Sequence, residues 1–102
     1  MYKRYQIYIT GNVQRVGFRN KAFKMAQRLN ISGSTMYIDH AIKIEAEGEM
    51  DRLLDFVAWC RVGPESCTID SFEITEIPPL FTKGFELIHG IVSSRKLTDL
   101  FA

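Results

Sequence analysis

Apolar and polar residues alternate along several stretches of the chain, and two other stretches show helical spacing instead. Over residues 5–9 every second residue is apolar or aromatic, which predicts a half-buried strand. Over residues 20–29 the apolar positions recur at helical intervals, which predicts an amphipathic helix. Two further strands are predicted over residues 34–38 and 41–47, and the turn between them falls at Asp39-His40.

The second half of the chain adds a second helix and two more strands. A second helix begins near Glu49 and stops at Gly63-Pro64, and strands are predicted over residues 69–77 and, briefly, 85–88. The succession predicts an α+β fold, a ferredoxin-like βαββαβ sandwich with an antiparallel sheet and both helices on one face. We assign residues 1–90 to this domain and residues 91–102 to a C-terminal extension, whose pattern is compatible with a short docked helix or with a loose tail.

Composition excludes several classes of protein. The 102 residues carry 13 Lys plus Arg against 12 Asp plus Glu, and 46% are hydrophobic, which argues against disorder and against a dedicated nucleic-acid binder. There is no apolar run long enough to span a membrane and no signal-peptide pattern, so we expect a cytoplasmic protein without membrane contact. The two cysteines fit structural thiols. The two histidines lie far apart in sequence, so no metal site is predicted.

One segment has residue types that point to chemistry: residues 11–19, between the first strand and the first helix. Glycines near both ends allow backbone angles that turn successive N–H groups towards one point. The helix that follows adds unpaired N–H groups and the positive end of its dipole. Arg19 adds a planar cation matched to two phosphate or carboxylate oxygens. These features can be interpreted as an anion site. The spacing of the glycines alone is more often found in an ordinary strand-to-helix loop with a solvated Arg.

The residues of this segment resemble a known motif. Its sequence, Gly11-x-Val13-Gln14-x-Val16-Gly17-Phe18-Arg19, is similar to the phosphate loop of the acylphosphatase family, G-x-V-Q-G-V-x-F-R. Further similarities at Ala46-Glu47-Gly48, Gly63-Pro64 and Gly84-Phe85 extend the resemblance over about residues 2–89.

The resemblance implies hydrolysis of an acyl phosphate to a carboxylate and inorganic phosphate, without metal or cofactor. It implies that Arg19 is catalytic and that Gln14, Arg15, Val16, Gly17, Phe18 and Arg19 form the phosphate-binding loop. The expected ligands are a small-molecule acyl phosphate or an inorganic anion, phosphate or sulfate. We expect no nucleic acid, and a monomer or weak dimer.

The sequence departs from the family pattern at two positions. The family carries an Asn on the second strand that orients the attacking water, and here that position falls on Tyr37 or, counted backwards from Gly48, on Met36. We name Tyr37 as the second catalytic candidate through its hydroxyl, although a strand Tyr is more often a packing residue. Arg15 stands where the family usually has Gly, which either alters the loop or adds a second cation.

Two functions follow from these departures. The first is a working or weakened acylphosphatase; Asn12 and Asn20 flank the loop and are considered as replacements for the missing amide, although an Asn at the start of a helix more often faces outward. The second is a domain of the same fold that holds phosphate or another anion as a binding or regulatory module without efficient hydrolysis. Binding an anion needs no positioned water, whereas fast hydrolysis does.

Overall fold

The computed structural model describes residues 1–14 and 16–92, with residues 91 and 92 described by their backbone alone. The elements in chain order are β1 (Tyr2–Asn12), α1 (Phe18–Arg28), β2 (Ser32–Ile38), β3 (Ala41–Glu49), α2 (Met50–Val62), β4 (Thr68–Ile77) and β5 (Phe85–Val92). Every predicted element is present, and β1 and β5 are longer than the alternation indicated. The proposed division after residue 90 stays a prediction, and the C-terminal helix considered above lies outside the described residues.

The five strands form one sheet in the order β4-β1-β3-β2-β5. The first four strands pair in antiparallel fashion, as predicted, whereas β5 runs parallel to β2. The connection explains this difference: residues 78–84 carry the chain from the β4 edge to the opposite edge, and the chain then returns in the direction opposite to β4. That direction is also the direction of β2. The ferredoxin-like class predicted from the sequence is confirmed.

Both helices cover the same face of the sheet. Helix α1 packs on β2 and β5, α2 packs mainly on β3, and the two helices touch each other. The core between the layers is built from isoleucines of β1 and β3 and from apolar side chains of the helices, all fully buried: Ile7, Ile9, Ile42, Ile44, Ala22, Ala26, Leu53 and Phe56. Alternation along β1 and β3 turns their other side chains to the opposite face.

A buried ion pair fixes the end of the sheet that lies farthest from the β1–α1 loop. The Glu47 carboxylate on β3 is fully buried and accepts a hydrogen bond from Arg4 on β1. It also accepts hydrogen bonds from the backbone N–H groups of Leu80 (3.2 Å) and Phe81 (2.9 Å) and from the Thr82 hydroxyl (3.3 Å). One carboxylate therefore holds the whole β4–β5 connection against the sheet.

Candidate anion-binding site

The connection between β1 and α1 is shorter than the pattern suggested. Strand β1 continues to Asn12 and α1 begins at Phe18, so only residues 13–17 link them. Val13 and Phe18, at the two ends of the link, are both fully buried. The Phe18 ring meets the Trp59 ring edge-on at 5.4 Å between centroids. Their burial fixes both ends of the loop, so the Phe18 side chain is an anchor in the core and only its backbone could serve the predicted phosphate loop.

Gly17 forms the N-cap of α1 in a conformation suited to glycine. Its φ of 77° lies in the left-handed region, and no side chain caps the helix. The first turn contains no acidic residue but contains Arg19 and Lys21, whereas the first turn of α2 contains Asp51. Among the described residues, the N–H groups that open α1 therefore have no side-chain cap and no acidic residue within their own turn. This end of the helix is suited to an external anion.

Gln14 ties the loop to the sheet. Its side-chain amide nitrogen donates to the carbonyl oxygens of Asp39, at 2.9 Å, and Ala41, at 3.1 Å, on either side of the β2–β3 turn. Both protons of the amide are used in this way. The Gln14 side chain thus fixes the loop relative to β2 and β3, and its N–H groups are not available to a ligand.

Arg19 is held from two directions. Its Nη1 donates to the carbonyl oxygens of Ile88, at 2.8 Å, and Gly90, at 2.9 Å, on β5. Its Cζ lies 3.9 Å from the centroid of the Tyr37 ring, and Tyr37 is only 6% exposed. Within the described residues, Nη2 and Nε of Arg19 make no hydrogen bond, which leaves one edge of the guanidinium for two oxygens of a ligand.

The structure places the other predicted site residues as follows. Tyr37 shares its face of the sheet with Thr35 and Ile42, and its neighbour Met36 alternates to the opposite face, so Tyr37 is the residue beside Arg19. Val16 is half-buried in the loop. Asn12 and Asn20 are both exposed. The prediction for Arg15 lies outside the described residues.

Two contributors escaped the sequence reasoning. Ile88 and Gly90 act through backbone carbonyls, which no side-chain motif reveals. Gly90 is the one hint in the sequence, because a glycine inside an alternating strand often marks a bulge.

Other kinds of site are not evident in the described part of the chain. Residues 1–14 and 16–92 contain no group of three or more His, Cys, Asp or Glu side chains placed to hold a metal ion. None of the helices described here is both long and apolar enough to cross a membrane. Cys60 is fully buried and free, and burial raises the pKa of its thiol, as expected for a structural cysteine.

Comparison with known proteins decides the family. The model of the acylphosphatase family matches residues 5–87, a span that includes the whole β1–α1 loop and both helices. The chain belongs to the acylphosphatase family. It is accordingly an acylphosphatase-like hydrolase, as the loop motif predicted.

Individual acylphosphatase relatives agree with this assignment. An acylphosphatase from Rubrobacter xylanophilus is 33% identical over 87 residues, which cover 83% of this chain and 79% of the relative. The crystal structure of acylphosphatase from Bacillus subtilis superposes with a TM-score of 0.79 at 27% identity and covers 87% of this chain and 100% of that one. Full-length HypF, in a phosphate- and nucleotide-bound form, gives a TM-score of 0.85 at 29% identity over 92% of this chain, but only 12% of HypF is covered.

Proposed function

We propose that this chain hydrolyses small-molecule acyl phosphates at the β1–α1 loop, with Arg19 as a catalytic residue. The observation that carries the proposal is the fixed guanidinium: two carbonyl oxygens hold Nη1, and no described residue bonds to the edge formed by Nη2 and Nε, which can bind two phosphoryl oxygens. The backbone N–H groups of the loop and of the first turn of α1 supply the remaining donors. Arg15 belongs to this set on its place in the sequence motif alone.

The proposed reaction requires little beyond positioning and charge. A water oxygen attacks phosphorus in line, the bond from phosphorus to the acyl oxygen breaks, and the carboxylate leaves with the electron pair. The proton of the water passes to a phosphoryl oxygen, and because a carboxylate is a good leaving group no strong general acid is needed. Arg19 and the N–H groups stabilise the charge that the phosphoryl oxygens carry in the transition state.

The second strand favours a second candidate function, because neither residue that falls at the position of the family's Asn, Tyr37 or Met36, is an amide. Of the two, Tyr37 is the one beside Arg19: its side chain is buried, and one face of its ring is covered by the Arg19 guanidinium. A phenol lacks the amide that the family resemblance implies for orienting water. A module that holds inorganic phosphate or a related anion without efficient turnover is therefore the alternative.

The test is the release of inorganic phosphate from acetyl phosphate and benzoyl phosphate. We expect turnover by the wild-type chain and a loss on the order of 100- to 1,000-fold in Arg19→Ala, the range found when one transition-state donor is removed. Arg28→Ala is the matched control, because Arg28 is an exposed Arg at the other end of the same helix. The control should leave turnover unchanged.

The same assay separates the two candidates when Tyr37→Asn is included. An active wild type that Tyr37→Asn does not accelerate supports the hydrolase. A wild type that binds inorganic phosphate without turnover, or that gains 100-fold or more in Tyr37→Asn, supports the binding module instead. If Arg19→Ala changes neither phosphate binding nor turnover, the loop is not the site and both candidates are wrong.

We also propose a cytoplasmic location and a monomer or weak dimer, on composition and on the size of the domain. Gel filtration with light scattering would test the second point directly.

A further inference from the structure

The last strand is distorted where it meets Arg19. Its pairing with β2 passes from Thr35–Leu87 to Tyr37–Ile91, so two steps along β2 correspond to four along β5. Between these two pairs β2 has one residue, Met36, whereas β5 has three, Ile88, His89 and Gly90, and Gly90 has a φ of 80°. We call these three residues the β5 bulge.

The β5 bulge supplies the acceptors for Arg19. In a regular parallel pair, the carbonyl groups of a strand are bonded to its neighbour at even spacing. At the bulge the ladder is interrupted, and the carbonyl oxygens of Ile88 and Gly90 instead converge on Nη1 of Arg19, at 2.8 Å and 2.9 Å. Bulges commonly redirect groups next to functional sites. The distortion of β5 therefore has a specific recipient, the guanidinium of Arg19.

Tyr37 restrains the same guanidinium from its flat side. The Cζ atom of Arg19 lies 3.9 Å from the centroid of the Tyr37 ring, which is a cation–π contact, and Tyr37 is buried. The Tyr37 hydroxyl makes no hydrogen bond within the described residues. The contact that Tyr37 makes with the site is thus a contact of its ring face.

We propose that Tyr37 and the β5 bulge are positioning elements for Arg19, and that Tyr37 acts through its ring rather than its hydroxyl. The carbonyls fix Nη1, and the ring packs against one face of the guanidinium, so its orientation is set by the protein before an anion arrives. Because the Arg19 side chain is already held in place, it loses less rotamer freedom when it binds phosphate. The inference rests on the proposed function only in taking phosphate as the ligand of Arg19.

The first experiment compares Tyr37→Phe with Tyr37→Leu by the dissociation constant of inorganic phosphate. The Phe variant keeps the ring and should bind within about 2-fold of the wild type. The Leu variant keeps apolar volume but loses the ring, and we expect about 10-fold weaker binding, the size of a partly desolvated cation–π contact. In the Arg19→Ala background, Tyr37→Leu should have no further effect on phosphate binding. Equal losses in the Phe and Leu variants, or the same Leu effect without Arg19, would overturn the proposal.

The second experiment leaves Tyr37 intact and keeps the test decisive if Tyr37→Leu fails to fold. Gly90→Ala and Gly84→Ala form a matched pair: φ is 80° at Gly90 and 79° at Gly84, and at neither position would a Cβ meet an atom of the described residues within 4 Å. The two variants should lose similar stability, because both place a side chain in the left-handed region. Of the two, only Gly90→Ala should weaken phosphate binding, by about 5- to 10-fold, since Gly90 supplies a carbonyl to Arg19 and Gly84 does not. Equal phosphate affinity in the two variants would overturn the role of the bulge.

The outcome is independent of whether the chain hydrolyses acyl phosphates. A wild type that binds phosphate without turnover contradicts the proposed hydrolase and leaves both comparisons valid. If Arg19→Ala reduces turnover but Tyr37→Leu and Gly90→Ala leave phosphate affinity unchanged, only the positioning role is contradicted.

Discussion

Replacing Glu47 with Gln should destabilise the fold far more than its small change in shape suggests. Glu47 is fully buried, and its two oxygens accept from Arg4, from two backbone N–H groups and from the Thr82 hydroxyl. In Gln, one oxygen becomes an NH₂ group. If the oxygen stays with Arg4, the NH₂ group faces the N–H of Phe81, two donors without an acceptor. The buried guanidinium of Arg4 also loses its main counter-charge.

The expected loss is about 3 kcal/mol in the free energy of unfolding. Removing one partner of a buried ion pair typically costs about 3–5 kcal/mol. The lower end applies because Glu45 remains 3.3 Å from Nη2 of Arg4 and compensates part of its charge. With a urea slope of about 1.5 kcal/mol per molar, the midpoint of unfolding should fall by about 2 M.

Urea unfolding followed by circular dichroism measures this loss, and Glu49→Gln provides a matched control. Glu49 lies two residues further along β3 and pairs with the N-terminal amine, but its side chain is 62% exposed. An exposed pair contributes less than about 1 kcal/mol, so Glu49→Gln should hardly move the midpoint.

Two results would refute this account of Glu47. A loss below about 1 kcal/mol in Glu47→Gln would mean that the cluster does not depend on the carboxylate charge. Additive losses in Glu47→Gln, Arg4→Met and the double variant would mean that the two residues do not act as a pair, because coupled groups give non-additive effects.

Two further predictions concern stability. Burial acts to raise the pKa of Glu47, but hydrogen bonds from Tyr2, from the backbone of Leu80 and Phe81 and from Arg4 together outweigh it and lower this pKa from 4.5. Its stabilisation should thus be complete above about pH 5 and lost as the pH falls from about 4.5 towards the folded-state pKa; urea midpoints should fall with acid in the wild type but less in Glu47→Gln, and equal slopes would contradict this. Thr35 is fully buried and its hydroxyl has no partner among the described residues, so Thr35→Val should raise stability by about 1 kcal/mol in thermal unfolding, and a loss of that size would argue against it.

Sequence patterns predicted the elements of this fold well, because each depends on local periodicity. The alternation in β1 and β3 and the helical spacing in α1 reflect which side chains enter the common core. The parallel pairing of β5 with β2 could not be predicted in the same way. It depends on the route of residues 78–84, and that route is held by a Glu47 carboxylate more than thirty residues away in sequence.

The same distinction holds for the candidate site: residues within one continuous segment could be predicted, whereas contacts between distant segments could not. The loop motif identified Arg19 and Gly17 because both belong to one continuous segment with a recognisable pattern. It could not show that the Gln14 side chain donates its hydrogen bonds to the β2–β3 turn, or that the Tyr37 ring lies against the Arg19 guanidinium. These contacts join segments that only the sheet brings together.

The position of Tyr37 changes the interpretation of the missing amide. From the sequence, a missing amide suggests a simple loss of the group that orients water. In the structure Tyr37, one of the two residues at which that amide was expected, presents a buried aromatic face to the Arg19 guanidinium, which two backbone carbonyls also hold. Anion binding and water orientation are thus separable demands on this site. Tyr37 supplies no amide for a water but contacts the Arg that we propose binds the phosphoryl group, so we expect substitutions of Tyr37 to change phosphate affinity and turnover to different extents.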